Sequence, residues 1–220
     1  MQLPIVFEHP DFLIVDKPAG LSFHRQDDLP GLAQLLKEQT GPVWPVHRLD
    51  KMTSGLVIFA LNKSSAAHFL TLFQSHQINK YYLALAQGKP KKKQGLVLGD
   101  MEKSRGGNWI LKRTRNNPAK TRFLSLSVDI GLRAYLLRPY SGKTHQLRVA
   151  MKSLGVPILG DSRYGGEKAD RGYLDACALD FNWQGEHVQF TRLPHQGTLF
   201  QSCCSILEPW ELPWQAGFPD

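Results

Sequence analysis

The cluster His47–Arg48–Leu49–Asp50–Lys51–Met52–Thr53–Ser54–Gly55 gathers a carboxylate, a guanidinium, an imidazole and two hydroxyls in one short loop. A free carboxylate in such a place can work as a nucleophile or as a general base. The same residues also fit an Asx or ST turn ahead of a strand, in which Asp50 bonds the backbone near Thr53 and Ser54. Two further side chains are placed to join the loop. In the stretch from Lys80, strand alternation sends Tyr81, Leu83 and Leu85 to one side and Tyr82, Ala84 and Ala86 to the other, so Tyr82 stands beside small residues with room for a flat ligand. A partly buried structural tyrosine satisfies the same pattern. Downstream, Arg148 falls one turn after Thr144 and can project from the start of a helix toward the polar loops.

The elements around these residues read as an α+β architecture of short strands and a few helices. Ile5–Phe7 and Leu13–Asp16 form an opening hairpin around His9–Pro10–Asp11, and Lys17–Pro18–Ala19–Gly20 is a turn. A helix covers Gly31 to Gln39. Leu56–Leu61 is a buried strand, after which Asn62 caps a helix with Ala66, Phe69, Leu70 and Phe73 on its apolar face. Strands follow at Thr121–Ser127 and Arg133–Arg138. Ser141–Gly142–Lys143 then turns into a helix from Thr144, burying Leu147, Ala150, Met151 and Leu154.

With 220 residues and 42% hydrophobic content, the chain is expected to form one domain, residues 1–220. Its longest apolar run is too short to cross a bilayer, and the N-terminus lacks a basic, apolar leader. Three cysteines, Cys177, Cys203 and Cys204, give neither an even disulfide framework nor zinc spacing, which points to a reducing cytoplasm. The formal charge of +8 is concentrated: between Gly88 and Arg122 eleven Lys and Arg side chains face two acids, a local net of +9. Such a segment attracts a polyanion, or is a solvated basic insertion spanning residues 89–122. Lys91, Lys92 and Lys93 are its expected phosphate contacts.

Several stretches together resemble the RluA-type RNA pseudouridine synthases. His47-Arg48-Leu49-Asp50-x-x-Thr53-Ser54-Gly55 resembles the family's signature loop, and Val15-x-Lys17-Pro18-Ala19-Gly20-Leu21 its opening motif. Lys80-x-Tyr82-x-Ala84 with Gly88 is similar to its tyrosine strand, and Gly142-x-Thr144-His145-Gln146-Leu147-Arg148 to its third motif. Pro157-Ile158-Leu159-Gly160-Asp161-x-x-Tyr164-Gly165 follows at the family's distance. The resemblance spans roughly residues 5–193. It implies a pseudouridine synthase fold: a mixed, mainly antiparallel central sheet flanked by helices.

It also implies a reaction. The uridine N1–C1′ bond breaks, the uracil turns, and C5 joins C1′, with no change of oxidation state and no metal or cofactor required. By resemblance Asp50 is the catalytic carboxylate, Arg148 the arginine that pairs with it, and Tyr82 the tyrosine that stacks on the base. Because the reacting atoms are inaccessible in a stacked helix, the nucleotide must flip out, and Arg48 matches the residue that fills the vacated space. Arg48 can alternatively pair with Asp50 or a phosphate. His47, Thr53 and Lys143 are expected on the RNA side of the site, His47 as a partner that orders the loop. His24 and His145 are assigned no catalytic role.

The chain departs from the family pattern in places. Ser141 and Lys143 stand where Thr and Arg are usual, Ala150 replaces a common His, and Asp175 stands where many members have His. Lys143 keeps the charge and loses bidentate phosphate recognition. The expected partner is transfer or ribosomal RNA, with a monomer sufficient for the task and no membrane or obligate protein partner. Two other classes fit parts of the sequence: a non-catalytic RNA-binding protein on the same scaffold, which would have lost Asp50, Tyr82 or Arg148, and a hydrolase that uses Asp50 with a water, which would need a second carboxylate.

Overall fold

The computed structural model describes residues 2–219. Its strands are β1 (Ile5–His9), β2 (Phe12–Lys17), β3 (Trp44–Pro45), β4 (Ser54–Ala60), β5 (Asn79–Gln87), β6 (Gln94–Gly99), β7 (Met101–Lys103), β8 (Trp109–Leu111), β9 (Ala119–Asp129), β10 (Leu132–Pro139), β11 (Leu174–Trp183) and β12 (Glu186–Thr191). Its α-helices are α1 (Leu32–Thr40), α2 (Lys63–Gln74), α3 (Gln146–Ser153), α4 (Thr198–Ser202) and α5 (Cys204–Leu207).

Eight strands run in the order β1-β2-β4-β11-β5-β10-β9-β6, with β12 added to β11 and β3 to β4. Every pairing is antiparallel except the short one between β4 and β11, where Ser54 meets Asp175 and Gly55 meets Ala176. That contact dictates the residue at position 55. Its backbone has φ +109°, and a Cβ there would stand 2.4 Å from the Ala176 carbonyl oxygen, so only glycine lets the signature loop enter the sheet.

Strand alternation divides the core cleanly. On β2 and β4, Leu13, Val15, Val57 and Phe59 face α1, while Phe12, Ile14, Leu56 and Ile58 face α2. On β5, Tyr82, Ala84 and Ala86 join the α1 and α3 side, and Tyr81, Leu83 and Leu85 pack against Phe200, Cys203, Leu207 and Trp210. With both sides covered, a near-continuous apolar run such as Leu56–Ala60 is what the central strand requires.

Two helices differ from expectation. Asn62 does cap α2, accepting from Ser65 N at 2.8 Å, but Leu70 is 54% exposed, and it is Leu72, at 6%, that joins Phe69 inside. The helix is rotated so that its buried stripe runs through Ser65, Phe69 and Leu72, where Phe69 stacks on Trp183. Downstream, α3 starts at Gln146, so Thr144 lies outside it and shares no helical face with Arg148. The Gln146 side chain explains the late start: its oxygen accepts from Lys143 N at 3.0 Å and Ser141 Oγ at 2.8 Å, and its amide donates to Thr121 Oγ1 at 3.0 Å. These bonds wind residues 141–145 into a tight turn that ends with His145 at φ +58°.

The basic segment 89–122 is built into the sheet at both ends, through β6 and the start of β9. β6 forms one edge and pairs with β9 from Gln94–Leu124 to Gly99–Ala119. Between them β7 and β8 make a separate hairpin that leans back on the molecule through Trp109 N to Tyr164 OH, 3.0 Å, and Arg163 Nη1 to Gly106 O, 2.9 Å. All three cysteines are free. Among the described residues no helix is long and apolar enough to cross a membrane.

Candidate active site

The signature loop is tied down from below. Lys17, the last residue of the buried strand β2, is itself fully buried, and its Nζ donates to the carbonyls of Thr53 (2.7 Å), Pro18 (3.0 Å) and Lys51 (3.2 Å). Burial, with Arg171 adding to it, pulls this ammonium down to about 7. Above it Asp50 O accepts from Thr53 N at 3.0 Å, which closes the turn through the backbone. The Asp50 carboxylate therefore plays no part in an Asx turn. It points into a cleft and meets Arg148 Nη1 at 3.1 Å.

Arg148 is clamped from the other side. Its Nε and Nη2 donate to the two oxygens of Asp161, each at 2.8 Å, and Asp161 is only 1% exposed. Tyr164 adds its ring, 5.0 Å from the guanidinium carbon. Burial alone would lower the basicity of Arg148, but Asp161 and Asp50 outweigh it and raise it. The segment carrying Asp161 reaches this position because Gly160, at φ +79°, lies so close to the Arg171 carbonyl that a Cβ would sit 1.8 Å from its oxygen.

Asp50, Tyr82 and Arg148 come from a loop, a central strand and a helix, and they line one cavity of about 420 Å³. Leu49, Leu147 and Leu174 supply apolar walls, and Lys80, Lys143 and Thr53 polar ones. Tyr82 is buried beside Ala84, and burial, helped by the nearby Asp50 charge, raises its hydroxyl well above the ordinary phenol value. His145 also stands there, with Nε2 4.0 Å from Asp50 Oδ2 and Nδ1 2.8 Å from Tyr164 OH. Burial lowers its basicity, and Arg148 opposes its protonation while Asp50 favours it. A second cleft of about 700 Å³ opens on the other side of the loop, with Arg25, Lys51, Arg163 and Arg171 on its walls. His24 lines this second cleft, while Asp50, Arg48, His145 and Arg148 border both.

The remaining sequence candidates are scattered around this centre. Arg48 is exposed between the two clefts and, among the described residues, holds no ion pair, with Asp50 or any other carboxylate. The His47 ring accepts from Ile58 N at 2.9 Å, an arrangement that needs a neutral imidazole, and burial with Lys80 nearby holds it down at about 3. That lone pair is spent on the fold and is not free for RNA. Thr53 is buried, so its contribution is to the loop. Lys143 reaches across to the Asn117 carbonyl. Lys91, Lys92 and Lys93 lie just before the edge strand β6, three strands from Tyr82, and line neither cleft.

Asp161, Tyr164 and Lys17 carry much of the geometry and had no assigned role in the sequence. Lys17 gave a signal there, as a lysine ending a strand that is otherwise wholly apolar or acidic. Asp175, at the position where His is common in the family pattern, bonds Ser54 Oγ and Arg192 Nη2, and with Asp16 forms a buried network behind the loop. Among the described residues no group of three His, Cys, Asp or Glu side chains converges as a metal site would.

The sequence profile described as RNA pseudouridylate synthase matches residues 11–153. An uncharacterized RNA pseudouridine synthase of Haemophilus influenzae is 53% identical over 201 residues, which cover 90% of each chain. The ribosomal large subunit pseudouridine synthase C of Rickettsia bellii is 33% identical over 174 residues, covering 74% of this chain and 57% of that one. Among solved structures, human RNA pseudouridylate synthase domain containing 1 superposes with a TM-score of 0.74 at 27% identity, over 88% of this chain and 84% of that one. The match of profile, relatives and fold agrees with the residues gathered around Asp50: the chain belongs to the RNA pseudouridylate synthase family, of the RluA type, whose members are isomerases.

Proposed function

We propose that this protein converts a specific uridine of transfer or ribosomal RNA into pseudouridine, with Asp50 as the catalytic carboxylate. The observation that carries this reading is the Asp50–Arg148 ion pair, set beside Tyr82 in one cavity and braced by Asp161. A carboxylate held by a guanidinium stays ionised and aimed, as nucleophilic or basic attack at the ribose demands. N1–C1′ breaks, the freed uracil rotates within the cavity, and C5–C1′ forms. The hydrogen on C5 is lost as a proton, and N1 gains one. Tyr82 supplies the flat face on which the ring turns. Its phenol, kept protonated by burial and by Asp50, is a donor and not a resting base.

The uridine reaches the cavity only after leaving its stack, at a cost of a few kcal/mol. Arg48, exposed where the two clefts meet, is positioned to stack in its place. Lys143 borders the cavity and contributes charge to the bound strand, and Lys91–Lys93 serve RNA that extends beyond the cleft toward β6. Hydrolysis of the glycosidic bond is disfavoured by the carboxylate inventory: the second acid near Asp50 is Asp161, which is buried and gives both oxygens to Arg148. Neutralised by Arg148 and only 1% exposed, it is poorly placed to activate a water.

The deciding experiment compares RNA from cells lacking the gene after treatment with wild-type protein, Asp50→Asn or Asp50→Ala. Pseudouridine is mapped by mass spectrometry at nucleotide resolution. Wild type should restore a discrete set of sites, and both variants should restore none while melting within a few degrees of wild type. Substantial isomerisation by either folded variant removes Asp50 from the mechanism.

A further inference from the structure

On β9 and β10 the residues alternating with the buried Phe123 and Leu137 are Arg122 and Arg138, which sit directly opposite each other in the register. Lys120, two residues away on β9, points to the same side. Tyr140 stands among the three, fixed by its N–H to Lys120 O at 2.9 Å. Lys120 Nζ is 4.8 Å from its ring centroid, and the guanidinium carbons of Arg138 and Arg122 are 5.0 and 5.6 Å away. This is the side of the sheet opposite the catalytic cavity. Leu137 pairs with Tyr82, whereas Arg138 shares a side with Tyr81 and lies 5.5 Å over its ring.

Like charges placed opposite each other across two strands repel. Here, among the described residues, none of the three cations has a carboxylate within ion-pair distance. Arg138 reaches an acid only through Asn79, which accepts from its Nη2 at 2.9 Å and donates to Asp180 at 3.0 Å, and His187 also bonds Asp180. The Nε atoms of Arg122 and Arg138 are both buried without an acceptor. Trp214 and Phe218 pack on Tyr81, and the same side of β10 is buried at Ala134 and Leu136, with Leu124 and Leu126 of β9 packed against them. At the ends of β9 and β10 that carry them, Lys120, Arg122, Arg138 and Tyr140 are partly exposed, and Leu96, which pairs with Arg122, is 42% exposed.

We propose that this face is a second RNA contact, where Lys120, Arg122 and Arg138 hold the phosphodiester backbone of a strand that has passed round the β6 edge from the catalytic side. The Nε atoms are buried, so it is the partly exposed ends of these side chains that would meet phosphate oxygens, as charge-assisted donors whose own charge no carboxylate neutralises. Tyr140 holds the three cations together, so the face reads charge and shape without reading bases. The inference rests on the chain acting on RNA, and it accounts for how a chain with one catalytic cleft can grip a folded RNA more widely than the cleft allows.

The test uses the full chain and poly(U) as probe, with affinity measured by fluorescence anisotropy across a salt series. In the Lys120→Gln/Arg122→Gln variant the slope of log K against log salt should shrink by about 1.4, as expected for two lost single-strand phosphate contacts. The charge-keeping Lys120→Arg/Arg122→Lys variant should retain the wild-type slope. Should the first variant fail to fold, Leu96→Glu sets a carboxylate opposite Arg122 at the exposed edge and should flatten the slope likewise. An unchanged slope in a folded charge-removing variant overturns the inference, as does displacement of poly(U) by polyglutamate at equal charge, which would mark an acidic protein as the partner. Pseudouridine formation by wild type in deproteinised cellular RNA is followed in parallel. Its presence with an unchanged slope sinks this inference alone, and its absence sinks the functional reading while a reduced slope still supports the phosphate face.

Discussion

Asp161 gives both carboxylate oxygens to Arg148 at 2.8 Å, leaving a single guanidinium edge, Nη1, to meet Asp50 at 3.1 Å. One arginine thus joins a buried anion that has no access to substrate to a half-buried anion that faces the cavity. The fork of a guanidinium can do this because its donors are coplanar and fixed in direction.

Arg148→Lys keeps the charge and loses the fork, since one ammonium cannot satisfy Asp161 twice and still orient Asp50. Turnover should fall by about 10²-fold, the cost of a misplacement near 1 Å at a reacting group. Affinity for RNA should change much less. Single-turnover rates and equilibrium binding separate the two, and normal turnover would remove Arg148 from its orienting role.

Asp161→Ala should act mainly through stability. It leaves a buried guanidinium with one carboxylate where it had two, and breaking a buried pair of this kind costs about 3–5 kcal/mol. For a domain of this size that corresponds to a fall in melting temperature of roughly 6–20 °C. Urea and thermal unfolding measure it; a loss below about 1 kcal/mol would show that the clamp is not a stabilising element.

His47 makes stability depend on acid. Its folded state needs a neutral ring to accept from Ile58 N, and its pKa is held at about 3 against an ordinary 6.5. Between those values the unfolded chain binds the proton more readily than the folded one, so stability is fully present above pH 6.5 and drains away as pH falls toward 3. From pH 7 to pH 5 this ring should cost about 2 kcal/mol. His47→Gln should be less stable at pH 7 and lose correspondingly less on acidification. Parallel losses in the two proteins would exclude His47 as the source.

The rotation of α2 predicts a contrast between neighbours. Leu72→Ala should cost about 2–5 kcal/mol, as large-to-small changes in a packed core do. Leu70→Ala, on the exposed side, should stay within about 0.5 kcal/mol. The reverse order, with Leu70→Ala the costlier change, would mean that the helix sits in the orientation its spacing first suggested.

The strands and their two sides were legible in the linear sequence. Alternation at Tyr81–Ala86 separates the two core faces, and the opening hairpin and the strands at Leu56, Thr121 and Arg133 were found to within a few residues, because side-chain direction in a strand depends only on parity. The order of the motifs likewise pointed to the family. The orientation of α2 was not legible, since Ala66, Phe69, Leu70, Leu72 and Phe73 offer two overlapping apolar stripes and only contact with Trp183 selects between them. Nor was the start of α3, which depends on Gln146 bonding residues brought up by β9.

The sequence by itself determined which groups are available: a carboxylate in a polar loop, a tyrosine beside small residues, and an arginine after a glycine turn. Only the tertiary structure decided what each group does. Asp50 was equally suited to a local Asx turn, and it faces the cavity because Arg148 outbids the neighbouring amides for its oxygen from 98 residues away in the chain. Asp161, Lys17 and the Arg122–Arg138 pair acquire their neighbours the same way. An ion pair or a repulsion between distant residues has no period and no spacing, and it exists only once the sheet has brought the two charges together.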